Sequence, residues 1–173
     1  MSMAILAGAP THLLKEALSN FKGVARRFSY RIRRDDLVLI DDYAHHPTEL
    51  DALYQGVNEM YPDDKKVIVF QPHLFSRTRD FIDQFAESLA KFDQVLLLDI
   101  YPARETPIDG VTSLWLLEKI KKIAIDVDNI SLVTKESLAE HLKTATCRVK
   151  LLVGAGDIGA EVSQITKILE HEN

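Results

Sequence analysis

Cysteine is nearly absent from this sequence: its 173 residues include one, Cys147. A single cysteine excludes an internal disulfide, which is the usual condition of proteins in a reducing compartment. No apolar run approaches the ~18 residues that a membrane span requires, and the apolar start MSMAILAGAP lacks the basic flank of a signal peptide. We therefore expect a cytoplasmic protein that does not enter a membrane.

An excess of positive charge is also missing. The chain has 21 Lys and Arg residues against 26 Asp and Glu residues, for a net charge of −5, which disfavours general nucleic-acid binding. Its 46% hydrophobic and 27% charged residues are typical of a globular protein. The length suits one domain with a core of its own.

The hydrophobic pattern predicts strands that alternate with helices. Residues 24–33 alternate between apolar and polar, with Phe28, Tyr30 and Ile32 on one face, and a tight turn at 34–36 predicts a hairpin. Because the later strands are continuously apolar, we expect an α/β fold whose mostly parallel sheet is covered on both faces, with one antiparallel strand from the N-terminal hairpin. The other predicted strands are 37–41, 66–71, 94–100, 129–133 and 148–153, and the predicted helices are 11–21, 48–61, 76–92, 112–123, 135–145 and 157–170.

Polar side chains collect where four of these strands end. Since the carboxyl ends of parallel strands share one edge of a sheet, the clusters are expected to converge there. The four clusters are Asp42, Tyr43, His45 and His46; His73, Ser76, Arg77 and Arg79; Tyr101, Arg104 and Glu105; and the turn 154–159.

The first cluster, IDDYAHHPT, has two interpretations. A helix start explains its end, because Thr48 and Asp51 predict a capping box. It does not explain His45 and His46, since positive charge is disfavoured at a helix N-terminus. A neutral imidazole or a bound anion would resolve the conflict. A metal site is less favoured, because no third ligand lies at a useful spacing.

The second cluster, QPHLFSRTRDF, predicts an anion site. Ser76 is the expected N-cap, which places Arg77 and Arg79 in the first turn, at the positive end of the helix dipole. A carboxylate or phosphate bound by Arg77 would compensate. The alternative is that both arginines pair with nearby acids such as Asp80 or Asp83.

The remaining two clusters carry weaker signals. Arg104 and Glu105 can simply pair with each other. The turn GAGDIG matches G-x-G-x-x-G, but no following strand with an acid completes a dinucleotide fingerprint. Two interpretations stay open: the amide groups of this turn face the shared site, or its glycines allow close helix packing.

Four blocks of the chain resemble a known family. The blocks IDDYAHHPTEL, VFQPHLFSRTRDF, LLLDIYPARETPI and VGAGDIG, in this order and after GVARRF, resemble the C-terminal domain of UDP-N-acetylmuramate–L-alanine ligases, within the Mur ligase family. The resemblance covers about residues 13–170 and implies a Rossmann-like, three-layer domain. It also implies a division into a linker helix from a preceding central domain, residues 1–22, and the C-terminal domain, residues 23–173.

The resemblance implies a reaction and its partners. The family uses ATP and Mg²⁺ to convert the carboxylate of UDP-N-acetylmuramate to an acyl phosphate, which the amine of L-alanine attacks, in peptidoglycan precursor synthesis. The N-terminal domain is implied to hold the UDP-sugar and the central domain to carry the P-loop and most magnesium ligands, and no metal ligand or certain catalytic residue is implied here. Asp42 is implied at the ATP ribose and Arg27 at its phosphates, while Tyr43, His45 and Arg77 would line the alanine and acyl-phosphate site.

Two departures bear on this expectation. The 173 residues contain no G-x-x-x-x-G-K-[ST] motif, so the chain is expected to be part of a longer enzyme and inactive alone. Leu74 and Phe75 stand where many relatives have Arg-Tyr, and Arg79 is a candidate to compensate. A stand-alone binding module for a phosphorylated or carboxylated small molecule is the alternative function. A sister ligase that adds a preformed tripeptide is disfavoured by the QPH-x-x-SRT block.

Overall fold

One six-stranded sheet organises the chain. The computed structural model describes residues 2–21, 23–124 and 129–171. The strands are β1 (Ser29–Arg33), β2 (Val38–Asp42), β3 (Lys66–Phe70), β4 (Gln94–Leu97), β5 (Ile130–Leu132) and β6 (Val149–Val153), in the spatial order β1-β2-β6-β3-β4-β5. β1 and β2 pair antiparallel, and the other neighbours pair parallel. The predicted hairpin and parallel sheet are therefore confirmed.

Eight described helices accompany the sheet. They are α1 (Ser2–Leu6), α2 (Thr11–Asn20), α3 (Pro47–Met60), α4 (Phe75–Asp80), α5 (Ile82–Leu89), α6 (Ser113–Lys121), α7 (Lys135–Thr144) and α8 (Ile158–Glu170). The predicted helix 76–92 is divided, because Phe81 between α4 and α5 leaves the helical conformation, with φ −120° and ψ 22°. Among the described residues, no helix is long and apolar enough to cross a membrane.

Two apolar clusters cover the two faces of the sheet. On the first face, α3, α5 and α6 contribute Leu50, Phe85 and Leu116. On the second face, α7 and α8 contribute Leu138 and Ile165. Every residue of β2, β3 and β6 is buried, which is what continuous apolar strands between two helix layers require. The helices α1 and α2 lie outside this core, since α2 buries none of its residues.

The predicted strand 24–33 is wrong in its first half. Residues 24–28 form a turn, because Arg26 and Phe28 adopt positive φ angles of 57° and 46°. Within β1 the register shifts between Tyr30 and Ile32. This bulge moves the two side chains to opposite faces, Tyr30 to the first cluster and Ile32 to the second, so the predicted single face for them is also wrong.

The topology opens crevices on both sides of β6 at its carboxyl end. The connections from β2 and β3 lead to helices on the first face, whereas β6 leads to α8 on the second face. Adjacent strands whose helices depart to opposite faces leave a gap where ligands bind in open α/β sheets. The polar clusters at the strand ends surround these gaps.

Candidate functional site

A row of four aromatic rings connects three of the four polar clusters at the strand ends. The ring of Tyr43 contacts that of His45 at a centroid distance of 5.3 Å, and His45 lies 5.9 Å from His73. His73 in turn stacks on Tyr101 at 5.7 Å. The predicted convergence of these clusters is confirmed.

The turn after β6 lies at the same edge of the sheet and supports the neighbouring segments. The amide of Gly154 donates to the carbonyl oxygen of Asp42 at 3.1 Å. A Cβ atom on Gly156 would lie 2.7 Å from Cβ of Tyr101 and would also touch Gln71. A Cβ on Gly159 would lie 2.5 Å from a guanidinium nitrogen of Arg26. The glycines therefore admit neighbouring side chains, which favours the packing interpretation of the motif.

Gln71, which the sequence analysis missed, connects β3 to this turn. Its side chain is buried, donates to Asp157 at 2.7 Å and accepts the amide of Ile158 at 2.9 Å. The first turn of α8 is thus satisfied from within the protein. Partial burial alone would raise the pKa of Asp157, but hydrogen bonds from Lys135 and Gln71 outweigh it and lower the pKa.

Asp42 is buried and binds two backbone amides. One carboxylate oxygen accepts from Phe28 at 2.6 Å and the other accepts from Ala44 at 2.7 Å. These bonds hold the turn that carries Arg27 beside the loop after β2. Asp42 also lines a pocket of about 280 Å³ with Arg27 and Glu49. Its expected contact with a ribose stays a prediction.

Arg27 lies between the two residues with positive φ and contacts the loop after β2. Its guanidinium lies 5.5 Å from the ring centre of Tyr43, which has Arg26 at 5.2 Å. The Arg27 side chain remains 51% exposed. Left-handed backbone at non-glycine residues is strained and concentrates at functional sites, so this turn is a candidate for a ligand contact.

Asp41 holds the turn of residues 24–28 through its arginine partners. Its fully buried carboxylate accepts from Arg26 at 3.1 Å and from Arg31 at 2.8 Å. Arg26 also donates to the carbonyl oxygen of Gly154 at 2.6 Å. Asp41, Arg26 and Gly154 thereby connect β2, the turn before β1 and the turn after β6. The two consecutive acids that end an apolar strand, Asp41 and Asp42, were the signal in the sequence for this arrangement.

His46 caps α3, so the predicted capping box is wrong. Its Nδ1 accepts the amide of Thr48 at 3.4 Å, and its ring packs edge-on against Phe81 at 4.6 Å. Asp51 pairs with Lys91 at 2.7 Å instead of closing a box. A ring nitrogen that accepts a hydrogen bond carries no proton, which removes the conflict with the helix dipole.

Arg77 carries an available positive charge at this edge. It is half-buried and its guanidinium lies 3.2 Å from Nδ1 of His73. Within the described parts of the chain it forms no ion pair with an acid. Burial and then the charges of Arg77 and His45 lower the pKa of His73, so a neutral His73 accepts from Arg77. This arrangement can bind an anion.

Arg79 and Ser76 have other roles than expected. Arg79 pairs with Asp80 at 2.8 Å, so the acid-pairing alternative is correct for Arg79. Ser76 is not the N-cap of α4, which is Leu74 at φ 74°. The amide and hydroxyl of Ser76 instead bind Glu105, and these bonds lower the pKa of Glu105. Glu105 therefore fastens its loop to α4.

The described residues contain no group of three or more His, Cys, Asp or Glu side chains placed to hold a metal ion. The edge instead offers a guanidinium that can bind an anion, Arg77, a row of flat rings and a second arginine, Arg27, which lines a pocket. Such a set can orient an anionic substrate and a polar nucleophile, but it includes no cradle for a triphosphate.

Comparison with known proteins identifies a family to which the chain is similar. The sequence profile of the family described as "Mur ligase, glutamate ligase domain" matches residues 26–158. UDP-N-acetylmuramate–L-alanine ligase of Christiangramia forsetii is 57% identical over 99% of the chain, and that of Flavobacterium johnsoniae is 52% identical over 98%. The chain spans only 37% and 36% of those two relatives.

Solved structures give the same result. UDP-N-acetylmuramate-alanine ligase of Thermotoga maritima superposes with a TM-score of 0.78 at 26% identity, covering 99% of this chain and 36% of that one. A murein peptide ligase of Psychrobacter arcticus superposes with a TM-score of 0.67 at 20% identity, covering 91% of this chain and 32% of that one, and this second likeness concerns the fold alone.

Proposed function

This chain belongs to the Mur ligase family, glutamate ligase domain, and on that premise we propose that it is the C-terminal domain of an ATP-dependent ligase joining L-alanine to UDP-N-acetylmuramate. Support comes from the names of relatives that are more than half identical to it. Because the chain spans about 37% of such a relative, the activity belongs to a longer protein. The isolated domain is proposed to be inactive.

The observation that carries the proposal is the charge of Arg77 beside the ring row. Its guanidinium is half-buried, contacts neutral His73 and forms no ion pair with an acid in the described residues. An acyl phosphate or the carboxylate of an amino acid can bind this guanidinium as an anion. His45 and Tyr43 lie along the same row, so they are placed to contact the amino acid held there.

The nucleotide is proposed to contact the other side of the loop after β2. Asp42 and Arg27 share a pocket there, and the exposed guanidinium of Arg27 can reach a phosphate. ATP supplies the phosphoryl group that activates the carboxylate. The P-loop and most ligands of Mg²⁺ are proposed to lie on the central domain.

The residues of this chain act by binding and orientation. Arg77 neutralises the charge of the acyl phosphate as the amine attacks and phosphate departs. Tyr43 and His45 direct the amine toward the carbonyl carbon, which raises the rate by proximity. The helices α1 and α2, which lie outside the core, are proposed as the linker from the central domain, within residues 1–22.

The test uses the full-length protein with ATP, Mg²⁺ and UDP-N-acetylmuramate. L-Alanine should produce ADP and a product heavier by one alanyl residue, detected by mass spectrometry. A reaction without the sugar nucleotide is the control. Product formed only with the preformed tripeptide would instead identify the sister ligase. The stand-alone binding module would be favoured if the isolated chain bound ATP or L-alanine with a Kd well below millimolar and the longer protein had no activity.

A further inference from the structure

Glu49 contacts both halves of the proposed site. It lies in the first turn of α3 and its side chain is 33% exposed. One carboxylate oxygen, Oε2, accepts the amide of His45 at 2.8 Å and lies 3.2 Å from its Nδ1. The other oxygen, Oε1, lies 3.5 Å from the guanidinium of Arg27. One carboxylate therefore joins a residue assigned to the amino acid to a residue assigned to the nucleotide.

The contacts of His45 define its tautomer. Its Nδ1 lies 2.9 Å from the carbonyl oxygen of Tyr43 and 3.2 Å from Oε2 of Glu49. Both are hydrogen-bond acceptors, so Nδ1 must carry the proton. Whenever the ring is neutral, Nε2 is the nitrogen that presents a lone pair and can accept a hydrogen bond from an ammonium group.

Electrostatics agree with an ionised Glu49. Partial burial alone would raise the pKa of Glu49, but the hydrogen bond from His45 and the charges of His45 and Arg27 outweigh burial and lower the pKa. The carboxylate is thus held as an anion between two donors. Its only cost is partial desolvation, which these donors offset.

We propose that Glu49 is a positioning residue that fixes the Nδ1–H tautomer of His45 and the placement of Arg27, so that one carboxylate assembles the amino-acid and nucleotide contacts. The inference rests on the proposed function for the identity of the two ligands. It rests on the geometry alone for the link between Glu49, His45 and Arg27.

Two substitutions separate the two contacts. In Glu49→Gln the amide oxygen can still accept from His45, whereas the amide NH₂ faces Arg27 and repels its guanidinium. Glu49→Ala removes both contacts. Glu59→Gln is the matched control, because Glu59 is an exposed acid on the same helix whose side chain accepts a hydrogen bond from Gln55.

Steady-state kinetics of the full-length protein provide the first readout. We expect Glu49→Ala to raise KM for both ATP and L-alanine about tenfold, by analogy with residues that orient a ligand's direct contacts. Glu49→Gln should raise KM for ATP while KM for L-alanine stays near wild type, and Glu59→Gln should change neither. Wild-type constants in Glu49→Ala, or equal defects for both ligands in Glu49→Gln, would overturn the inference.

Nitrogen NMR of the His45 ring in the 173-residue chain provides the second readout. At a pH at which the ring is neutral, wild type and Glu49→Gln should show a protonated Nδ1 and an unprotonated Nε2, and Glu49→Ala should show an increased share of the other tautomer. An Nε2-protonated ring in wild type, or an identical spectrum in Glu49→Ala, would contradict the role of Glu49. This readout needs no turnover, so an inactive wild-type enzyme would count against the proposed function alone.

Discussion

The loop after β2 and the turn after β6 leave the sheet side by side but differ in what they present. The amide of Gly154 binds the carbonyl of Asp42 at 3.1 Å, so the two segments start together. The first then exposes the rings of Tyr43 and His45, whereas the second turns inward, where its glycines admit Gln71, Tyr101 and Arg26. The segment with the familiar glycine motif therefore contributes packing, and the loop after β2 contributes the side chains that can contact a ligand.

The difference divides the edge into two groups. The facing residues, which meet the proposed substrates, are Arg27, Tyr43, His45, His73 and Arg77. The supporting residues, which hold them, are Asp41, Gln71, Gly154, Gly156 and Gly159. If this division is correct, changes to facing residues should reduce activity without loss of stability, and changes to supporting residues should do the reverse.

The largest effect is expected at Arg77. In the full-length protein, Arg77→Ala should lower kcat/KM for L-alanine by about 100-fold or more, or about 3 kcal/mol of transition-state stabilisation, because a charge-assisted contact is lost. Steady-state kinetics measure this. Arg79→Ala is the control, since Arg79 pairs with Asp80 at the surface. Near-normal turnover in Arg77→Ala would remove it from the facing residues.

The next effect concerns stability. Asp41→Asn should lower the free energy of unfolding by about 3 kcal/mol, since a buried carboxylate that binds both Arg26 and Arg31 is removed. Urea unfolding measures the loss. Asp36→Asn removes an exposed partner of Arg34 and should change stability by less than about 0.5 kcal/mol. Equal losses in the two variants would contradict the supporting role.

A smaller loss of stability is expected at the glycine turn. Gly156→Ala should cost about 2 kcal/mol, because the new methyl group displaces buried Gln71 from its two hydrogen bonds. The same substitution at Gly56, inside α3 and with only one ordinary contact at 3.5 Å, should stabilise by about 0.5 kcal/mol or more. An unchanged free energy of unfolding in Gly156→Ala would show that the turn can accommodate a methyl group.

The smallest effect is a dependence on pH. The pKa of His73 is lowered from its ordinary 6.5 by burial and by Arg77, so the unfolded chain takes up this proton first and stability falls as pH drops through about 6.5. The lowered pKa values of Glu49 and Asp157 stabilise the fold above their ordinary 4.5 and 3.8, and this stabilisation is lost at lower pH.

Urea unfolding at a series of pH values tests both losses of stability, the one near pH 6.5 and the one at lower pH. His73→Gln should remove the first loss of stability and leave the second. Arg77→Leu should weaken the first, because it removes one cause of the lowered pKa of His73. Stability that rises from neutral pH toward pH 5 would contradict the sign of this prediction.

The sequence predicted the sheet, the helices and the convergent edge, because these follow from hydrophobic period and from parallel topology. It could not predict the bulge in β1 or the break at Phe81, which depend on packing against distant residues. His46 was missed as a helix cap because its role depends on ring orientation. Glu49 was not singled out from the sequence, because only the fold brings His45 and Arg27 to its carboxylate.

The division into facing and supporting residues is tested most directly by kinetics and urea unfolding on the same two variants of the full-length protein, Arg77→Ala and Gly159→Ala. We expect Arg77→Ala to lose activity at unchanged stability. Gly159→Ala should lose stability, because its methyl group would meet the Arg26 guanidinium, while each folded molecule retains near-normal kcat/KM. The opposite pattern, or parallel losses in both variants, would contradict the division.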